Sequence, residues 1–381
     1  MTVPASTYPV WEDGHPLGLP SLEGAVEADV CVVGLGGSGL SAVLELLARG
    51  RRVVGVDAGQ VAQGAAGRNG GFLLGGLARF YHETVASLGR ERALALYRAT
   101  LDGIDRIAAE APAAVRRTGS LRIASDAEEL ADCEAQLEAM QSDGLPVEPW
   151  DGPEGHGLLF PADAAFQPLA RCRALARSAI AEGAQFFERS PAISIAPGRV
   201  GTPAGEVRCG AVLVMVDGGL EQVLPVLSGR VRTARLQMLA TDPIDRTLFT
   251  RPVYYRWGFE YWQQLPDGRL ALGGFRDLGG GEEWTRVAEP SAGVQALLDR
   301  FLRGHLQVTA PVTHRWAALV GYTSDGIPLA TEVQPGVWGV GGYGGTGNVV
   351  GALAGRAVAA AVTGERLHFL DLLAGSASLR A

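Results

Sequence analysis

The chain has 381 residues, 47% of them hydrophobic, with a formal net charge of −8. That length holds two domains or one large domain with an insertion, and the acidic balance excludes a nucleic-acid binder with the usual basic face. There is no lysine, so all 33 basic residues are arginine and Schiff-base catalysis by a side-chain amine is excluded.

Residues 1–27, with Tyr8 and Trp11 among prolines and glycines, read as an ordered strap or a loose arm. No basic segment leads into an apolar core there, so no signal peptide is expected. Val30-Cys31-Val32-Val33 reads as a buried parallel strand. It breaks into Gly34-Leu35-Gly36-Gly37-Ser38-Gly39, a G-x-G-x-x-G, and a helical apolar pattern follows through Leu40, Val43, Leu44 and Leu47. The first glycine makes the tight turn, the second admits a pyrophosphate close to the backbone, and the third lets helix pack on strand. The helix N-terminus then offers free N–H groups to that anion. Val53-Val54-Gly55-Val56 ends in Asp57, at the spacing where a carboxylate accepts from a ribose hydroxyl. No arginine follows Asp57 directly, which disfavours a 2′-phosphate. Residues 28–57 are therefore predicted to form a dinucleotide-binding βαβ unit.

The run Gly64-Ala65-Ala66-Gly67-Arg68-Asn69-Gly70-Gly71 offers unobstructed backbone N–H groups, as a planar or phosphorylated ligand requires. Residues 83–117 read as one or two helices and 121–123 as a short strand. Asp126 reads as the N-cap of a helix ending near Ser142. A Pro/Gly/acid-rich loop is predicted over 146–157, a helix over 164–183, and strands over 185–187, 207–216 and 228–241. From Val253 on, Val253-Tyr254-Tyr255, Tyr261-Trp262-Gln263-Gln264-Leu265 and Arg269-Leu270-Ala271-Leu272 are separated by turn signals such as Asp267-Gly268, which predicts an antiparallel sheet. Tyr254 and Tyr255 are strand neighbours and point to opposite faces.

A helix follows over 291–305 and a strand over 312–320. Val337-Trp338-Gly339-Val340 runs into Gly341-Gly342-Tyr343-Gly344-Gly345-Thr346-Gly347-Asn348 and a helix to about Thr363, so strand, glycine turn and helix recur. That apolar tract is interrupted by Arg356 and is too short to span a bilayer. The chain's two asparagines, Asn69 and Asn348, lie in the two later glycine turns. Cys31, Cys133, Cys172 and Cys209 are far apart with no C-x-x-C, a pattern of reduced, mostly buried thiols in the cytoplasm. His82, His156, His305, His314 and His368 form no metal-ligand spacing, and no metal is expected.

Assembled, these stretches resemble the D-amino acid oxidase superfamily of flavoenzymes, which includes glycine oxidase and sarcosine oxidase, from about residue 28 to the C-terminus. The carriers are the opening glycine motif, the 64–71 run, Tyr261-Trp262-Gln263-Gln264-Leu265-Pro266-Asp267-Gly268-Arg269, Asp325-Gly326-Ile327-Pro328 and the 341–348 turn. Gly67-Arg68-Asn69-Gly70-Gly71 and Ser21-Leu22-Glu23-Gly24 look most like the gamma-glutamylputrescine oxidase branch.

The resemblance implies an α/β fold (α+β overall). A glutathione-reductase-like FAD-binding domain with a Rossmann βαβ unit is expected over 28–84, 158–229 and 314–372. An inserted antiparallel β-sheet substrate domain is expected over 85–157 and 230–313. FAD would be held by Gly34, Leu35, Gly36, Gly37, Ser38, Gly39, Asp57, Ala58, Gly59, Ala66, Arg68, Asn69, Gly70, Gly71, Ile193, Gly342, Tyr343, Gly344, Gly345, Thr346, Gly347 and Asn348. It is expected to be non-covalent, because relatives that attach flavin use a cysteine near what is here Ala318. The implied reaction is hydride transfer from an amine-bearing carbon to flavin N5, giving an imine, with reoxidation by O2 and release of H2O2.

Tyr261, Tyr343 and Arg68 become candidates for the substrate or flavin face. The arginines that hold an α-carboxylate in amino-acid-oxidising relatives fall here at Val320 and Gly347. That leaves Arg68 and Arg276 as candidates and favours an amine whose carboxylate is absent or remote. The lysine that speeds reaction with oxygen in relatives has no counterpart. An FAD-dependent amine dehydrogenase using a quinone or protein acceptor therefore stays open, as do a flavin-binding module of a larger assembly and a nicotinamide-dependent enzyme. The expected partners are a small amine or amino acid and O2 or another acceptor, with neither nucleic acid nor membrane. Oligomeric state is not encoded in these motifs.

Overall fold

Two sheets meeting at a cleft organise the computed structural model, which describes residues 5–12 and 14–374. The first is six-stranded, in the order Gln185–Phe187, Val53–Val56, Val30–Val33, Ala211–Val214, Val337–Gly341, Leu329–Gln334. All neighbours are parallel except the last pair. Every residue of Val30–Val33, Val53–Val56 and Ala211–Val214 is buried. That explains the unbroken β-branched runs, since a parallel sheet is covered on both faces. One face packs Val30, Val32 and Val53 against the helices Gly37–Ala48, Pro168–Ala181 and Ala352–Ala361. The other packs Val33, Val54 and Val212 against Val200 and Val207 of a four-stranded layer.

The second sheet has eight strands, in the order Val312–Thr323, Val231–Thr241, Leu270–Gly273, Glu260–Gln264, Val253–Tyr255, Ser120–Ile123, Gly155–Phe160, Glu148–Gly152. Its pairs are antiparallel except Val253–Tyr255 with Ser120–Ile123. The helix Ala292–Gly304 covers one face through Val294, Leu298 and Leu302. The fold is thus the expected mixed α/β architecture, a Rossmann unit in a parallel sheet with an antiparallel sheet inserted between its pieces.

The structure selects between two pairs of alternatives that the sequence left open and differs from it at other elements. The lead-in is a strap: Trp11 is buried with its Nε1 donating to the Asn69 carbonyl at 2.8 Å, and Gly24–Glu27 pairs in parallel with Gly205–Arg208. The 83–117 stretch is split by Gly89, at φ +82°, into the helices Tyr81–Leu88 and Arg90–Glu110. The expected loop over 146–157 is mostly a hairpin, Glu148–Gly152 with Gly155–Phe160; its outer strand carries charges because it is a sheet edge. The helix expected from residue 164 starts at Pro168, because Ala164–Phe166 is a fully buried strand joining Phe72–Leu73 and Val115–Arg116. Positions 158 and 314, taken as domain boundaries, lie inside the strands Gly155–Phe160 and Val312–Thr323. No helix among the described residues is long and apolar enough to cross a membrane.

Candidate active site

A single cavity of about 810 Å³ runs between the two sheets, near the upper end of the roughly 300–1,000 Å³ usual for small-molecule and cofactor sites. It is walled by all three glycine turns.

At the first turn, Gly34 adopts φ +96°, and a Cβ there would sit 2.7 Å from the Met215 carbonyl oxygen. A Cβ on Gly39 would lie 1.9 Å from the Gly34 carbonyl oxygen. Gly34 therefore makes the turn and Gly39 admits the helix, the division of labour the motif predicts. Asp57 accepts from the backbone N–H of Leu35 and of Gly59, both at 2.8 Å. Burial raises its pKa, while those two N–H groups oppose the shift. A carboxylate has about four acceptor sites, so two remain for a diol on the cavity side.

Arg171, which the sequence reading did not single out, reaches the same turn. Its side chain is 1% exposed, its Nε has no partner, and a Cβ on Gly37 would sit 3.1 Å from its Nη1. An unobstructed glycine cradle, a helix N-terminus, a buried guanidinium with an unused donor and a carboxylate with spare acceptors fit an extended dinucleotide.

The two later turns are clasped to each other. Asn69 Nδ2 donates to Asn348 Oδ1 at 3.1 Å, and Asn348 Nδ2 donates back to Asn69 Oδ1 at 3.2 Å. Asn69 also donates to the carbonyls of Ala65 and Ala66 and accepts from the Gly71 N–H, while Asn348 donates to the Phe72 carbonyl. A second tie, also missed in the sequence, is Asp217. Its carboxylate accepts from Tyr343 N–H at 3.0 Å, and the backbone N–H groups of Gly321 and Gly342 also favour the anion, yet burial pushes its pKa up to about 7. The available signal was an acid directly after an apolar run, as at Asp57.

Of the predicted residues, Gly34, Gly36, Gly37, Ser38, Asp57, Ala58, Ala66, Arg68, Asn69, Gly70, Tyr261, Tyr343, Gly344, Gly345, Thr346, Gly347 and Asn348 line the cavity. Leu35, Gly39, Gly59, Gly71, Ile193 and Gly342 are not in its wall. Leu35 and Gly39 are buried beneath the first turn, and Leu35 and Gly59 act through the N–H groups that hold Asp57. Ile193 is 67% exposed: its N–H bonds the Gly201 carbonyl, which turns its side chain to solvent and leaves Pro191 and Ala192 as wall. Arg276, Val320 and Ala318 also line the cavity. Tyr254 lines it and Tyr255 does not, as strand alternation requires. None of the histidines does, and no metal-binding cluster exists among the described residues.

Tyr261 packs against Gly70, where a Cβ would lie 3.0 Å from its ring, and against Phe72 at a centroid distance of 6.1 Å. Tyr343 donates its hydroxyl to Ser38 Oγ at 2.8 Å, and its ring fills the space that a Cβ on Gly347 or Gly351 would need. It joins the last glycine turn to the first. Arg68 donates to the carbonyls of Gln63 and Ala317, and burial lowers its pKa. The last turn enters its helix through a π-helical turn, Gly347–Gly351, before Ala352–Ala361.

Fold and site together define a dinucleotide-dependent redox enzyme. The profile of the FAD dependent oxidoreductase (DAO) family matches residues 29–361, and the chain belongs to that family. It is 28% identical to the probable oxidoreductase OrdL of Rhizobium meliloti, over 93% of this chain and 87% of that protein. It is 25% identical to gamma-glutamylputrescine oxidoreductase of Escherichia coli, over 92% and 87%. Its fold is similar to that of glycine oxidase from Geobacillus kaustophilus, with a TM-score of 0.75 at 19% identity, covering 90% of this chain and 96% of that one. The cofactor of the chain is FAD.

Proposed function

We propose that this chain oxidises the C–N bond of a small amine or amino acid to an imine. FAD, when bound, would supply the hydride acceptor, with O2 or another acceptor taking up the electrons. The observation that carries the reading is one continuous cavity whose wall joins all three glycine turns to the aromatic face of the inserted sheet.

The residues divide the work. The opening turn, Asp57 and Arg171 bind the nucleotide end. The clasped turns, with Asn69 and Asn348, would hold the redox end, where Tyr343–Asn348 of the last glycine turn line the cavity. Phe72, Tyr254 and Tyr261 form the wall against which the substrate's reacting carbon is held and exclude water from it. Burial keeps both tyrosine hydroxyls protonated, so they donate or accept hydrogen bonds without acting as bases at neutral pH. Val320 and Gly347 offer no cation, so an α-carboxylate would have Arg68 or Arg276 to turn to. Arg276 stacks 4.8 Å from the Tyr322 ring and 5.2 Å from Trp284.

Attachment of the cofactor is non-covalent in this reading. Cys172 is the cysteine in the cavity wall, and burial raises its pKa, which keeps it a thiol. The cofactor unit takes 28–84, 158–229 and 314–372 and the substrate unit 85–157 and 230–313, each boundary moved to the end of the strand or helix it cuts. A cytoplasmic location is consistent with four free cysteines.

The test is the visible spectrum of the purified holoenzyme under anaerobic conditions, titrated with amines and amino acids. Bleaching of the oxidised flavin band by an amine is the expected result, and admitting air then separates oxidase from dehydrogenase. A flavin band that no amine bleaches would remove the substrate class while leaving the family intact.

A further inference from the structure

The cavity continues past the glycine turns. Beyond Tyr261 it runs under the helices Tyr81–Leu88 and Arg90–Glu110, where Thr84, Tyr97, Arg122, Gln136 and Phe160 line it. The register of the eight-stranded sheet shows how this lobe is joined to the rest. Arg122 is paired with Tyr254, Tyr254 with Tyr261, Tyr261 with Gly273, Gly273 with Met238, and Met238 with Trp316. Residues directly opposite across a ladder share a face, so these positions form one row on one face of the sheet, of which Arg122, Tyr254, Tyr261 and Met238 line the cavity. At one end, Trp316 Nε1 donates to the Arg68 carbonyl. In the middle, Tyr261 lies against Gly70. At the other end, two strand spacings beyond Tyr261 and hence about 10 Å away, stands Arg122.

Arg122 is half-buried with its guanidinium 4.2 Å from the centre of the Phe80 ring, and it makes no ion pair among the described residues. Ionisable groups close enough to feel its charge include Tyr97, Cys133, Asp163 and Tyr254. Burial raises the pKa of each, and Arg122 opposes each rise. Asp163 forms no ion pair with it. That carboxyl is held by the Ser120 hydroxyl at 2.6 Å and the Gly75 N–H at 2.9 Å, and burial pushes its pKa up to about 7. The other four cavity arginines are engaged elsewhere: Arg68 donates to the Gln63 and Ala317 carbonyls, Arg79 to the Asp325 carbonyl and Ser87, Arg171 to Ser41 Oγ, and Arg276 is stacked on Tyr322. A cation with an open guanidinium thus faces the far end of an elongated, aromatic-walled channel. A carboxylate would meet it in the paired, fork-like geometry that favours arginine.

We propose that Arg122 anchors the carboxylate of an extended substrate that lies along the Arg122–Tyr254–Tyr261 row, with the amine to be oxidised at the Tyr261 end. The inference rests on the amine-oxidising reading of the same cavity and names the substrate as an amine with a carboxylate about 10 Å away.

The test uses FAD-loaded enzyme in three forms: unmodified, Arg122→Met and Arg122→Lys. Straight-chain ω-amino carboxylates of increasing length are compared with alkylamines of equal length by the rate of anaerobic flavin bleaching. Binding of straight-chain alkanoates, which cannot be oxidised at an amine, is followed by flavin difference spectra. The unmodified enzyme should prefer the amino carboxylate at least tenfold once the chain is long enough to span the row. That ratio should collapse at least tenfold in Arg122→Met and be partly restored in Arg122→Lys, and alkanoate affinity should follow the same order. A carboxylate preference and alkanoate affinity unchanged in Arg122→Met would overturn the proposal. If no amine bleaches the flavin at all, the amine reading fails, and the alkanoate titration still decides whether Arg122 is an anion site.

Discussion

Asn69 and Asn348 illustrate how few polar atoms hold the site in shape. Replacing Asn348 by Leu removes both its bonds to Asn69 and its donation to the Phe72 carbonyl. The half-buried partners are left unsatisfied at a cost of about 1–3 kcal/mol. Asn348→Leu should therefore lower the melting temperature of the holoenzyme and weaken FAD binding together; retention of FAD affinity would show the clasp to be dispensable. Asp163 makes a different kind of prediction. Its folded pKa of about 7 lies above the unfolded value of 3.8, so the folded state holds the proton more tightly. The resulting stabilisation is complete below the unfolded pKa and is lost as pH rises through about 7. Asp217 contributes with the same sign over the same window. The contribution of these two carboxyls to the unfolding free energy of the FAD-free protein should therefore fall between about pH 4 and pH 7, and Asp163→Asn should flatten that fall. An unchanged slope in the variant would count against a proton on Asp163.

At the scale of elements, the helices behind the first glycine turn are joined by charge as well as packing. Arg356, 5% exposed, bonds Glu45 of the helix Gly37–Ala48 at 3.3 Å and Glu110 of the helix Arg90–Glu110. Removing one member of such a buried network leaves uncompensated charge, and Arg356→Met should cost about 3 kcal/mol, read from chemical denaturation. Asp126 is a simpler case. Its carboxylate accepts from the N–H groups of Glu128 and Glu129 at the head of the helix Ala127–Ser142, so Asp126→Ala should cost about 1 kcal/mol in the same experiment. That cap was legible in the sequence because it is local, an acid before an apolar periodic run. The hairpin over 148–160 was not, because an exposed edge strand and a polar loop share a composition. Ala164–Phe166 was absorbed into the helix after it, since three apolar residues carry no period of their own.

Across the whole molecule, the glycine turns and the strands that feed them were readable because the steric demands of a dinucleotide are written in glycines at fixed spacing. Residues that reach the cavity through long-range pairing were less so. Arg122 meets Tyr254 across strands more than a hundred positions apart, and Arg171 arrives from a helix whose own pattern reports only its buried face. No local rule finds them. The same long-range assembly makes stability depend on the cofactor, because three separated stretches converge on one ligand. Ligand present at a hundred times its dissociation constant contributes about 2.7 kcal/mol through mass action. The melting temperature should accordingly rise steadily with added FAD, and a flat response would mean that FAD does not bind the folded chain in preference to the unfolded one.

The clasp between the two later turns also bears on how the protein ages. Asn69 is followed by Gly70, the neighbour that least obstructs attack of a backbone nitrogen on the asparagine side-chain carbon, the route to deamidation. While both atoms of the Asn69 amide are engaged, its carbon is held away from the approach that ring closure needs. Once the turn loosens, ring closure expels ammonia and water opens the ring to aspartate or isoaspartate; an aspartate sets a negative oxygen among the carbonyls of Ala65 and Ala66 and Asn348 Oδ1, which can only accept. The change is irreversible, and bound FAD, by favouring the folded turn, should slow it. A stored preparation should therefore accumulate modified, flavin-poor molecules, with saturating FAD acting as its preservative.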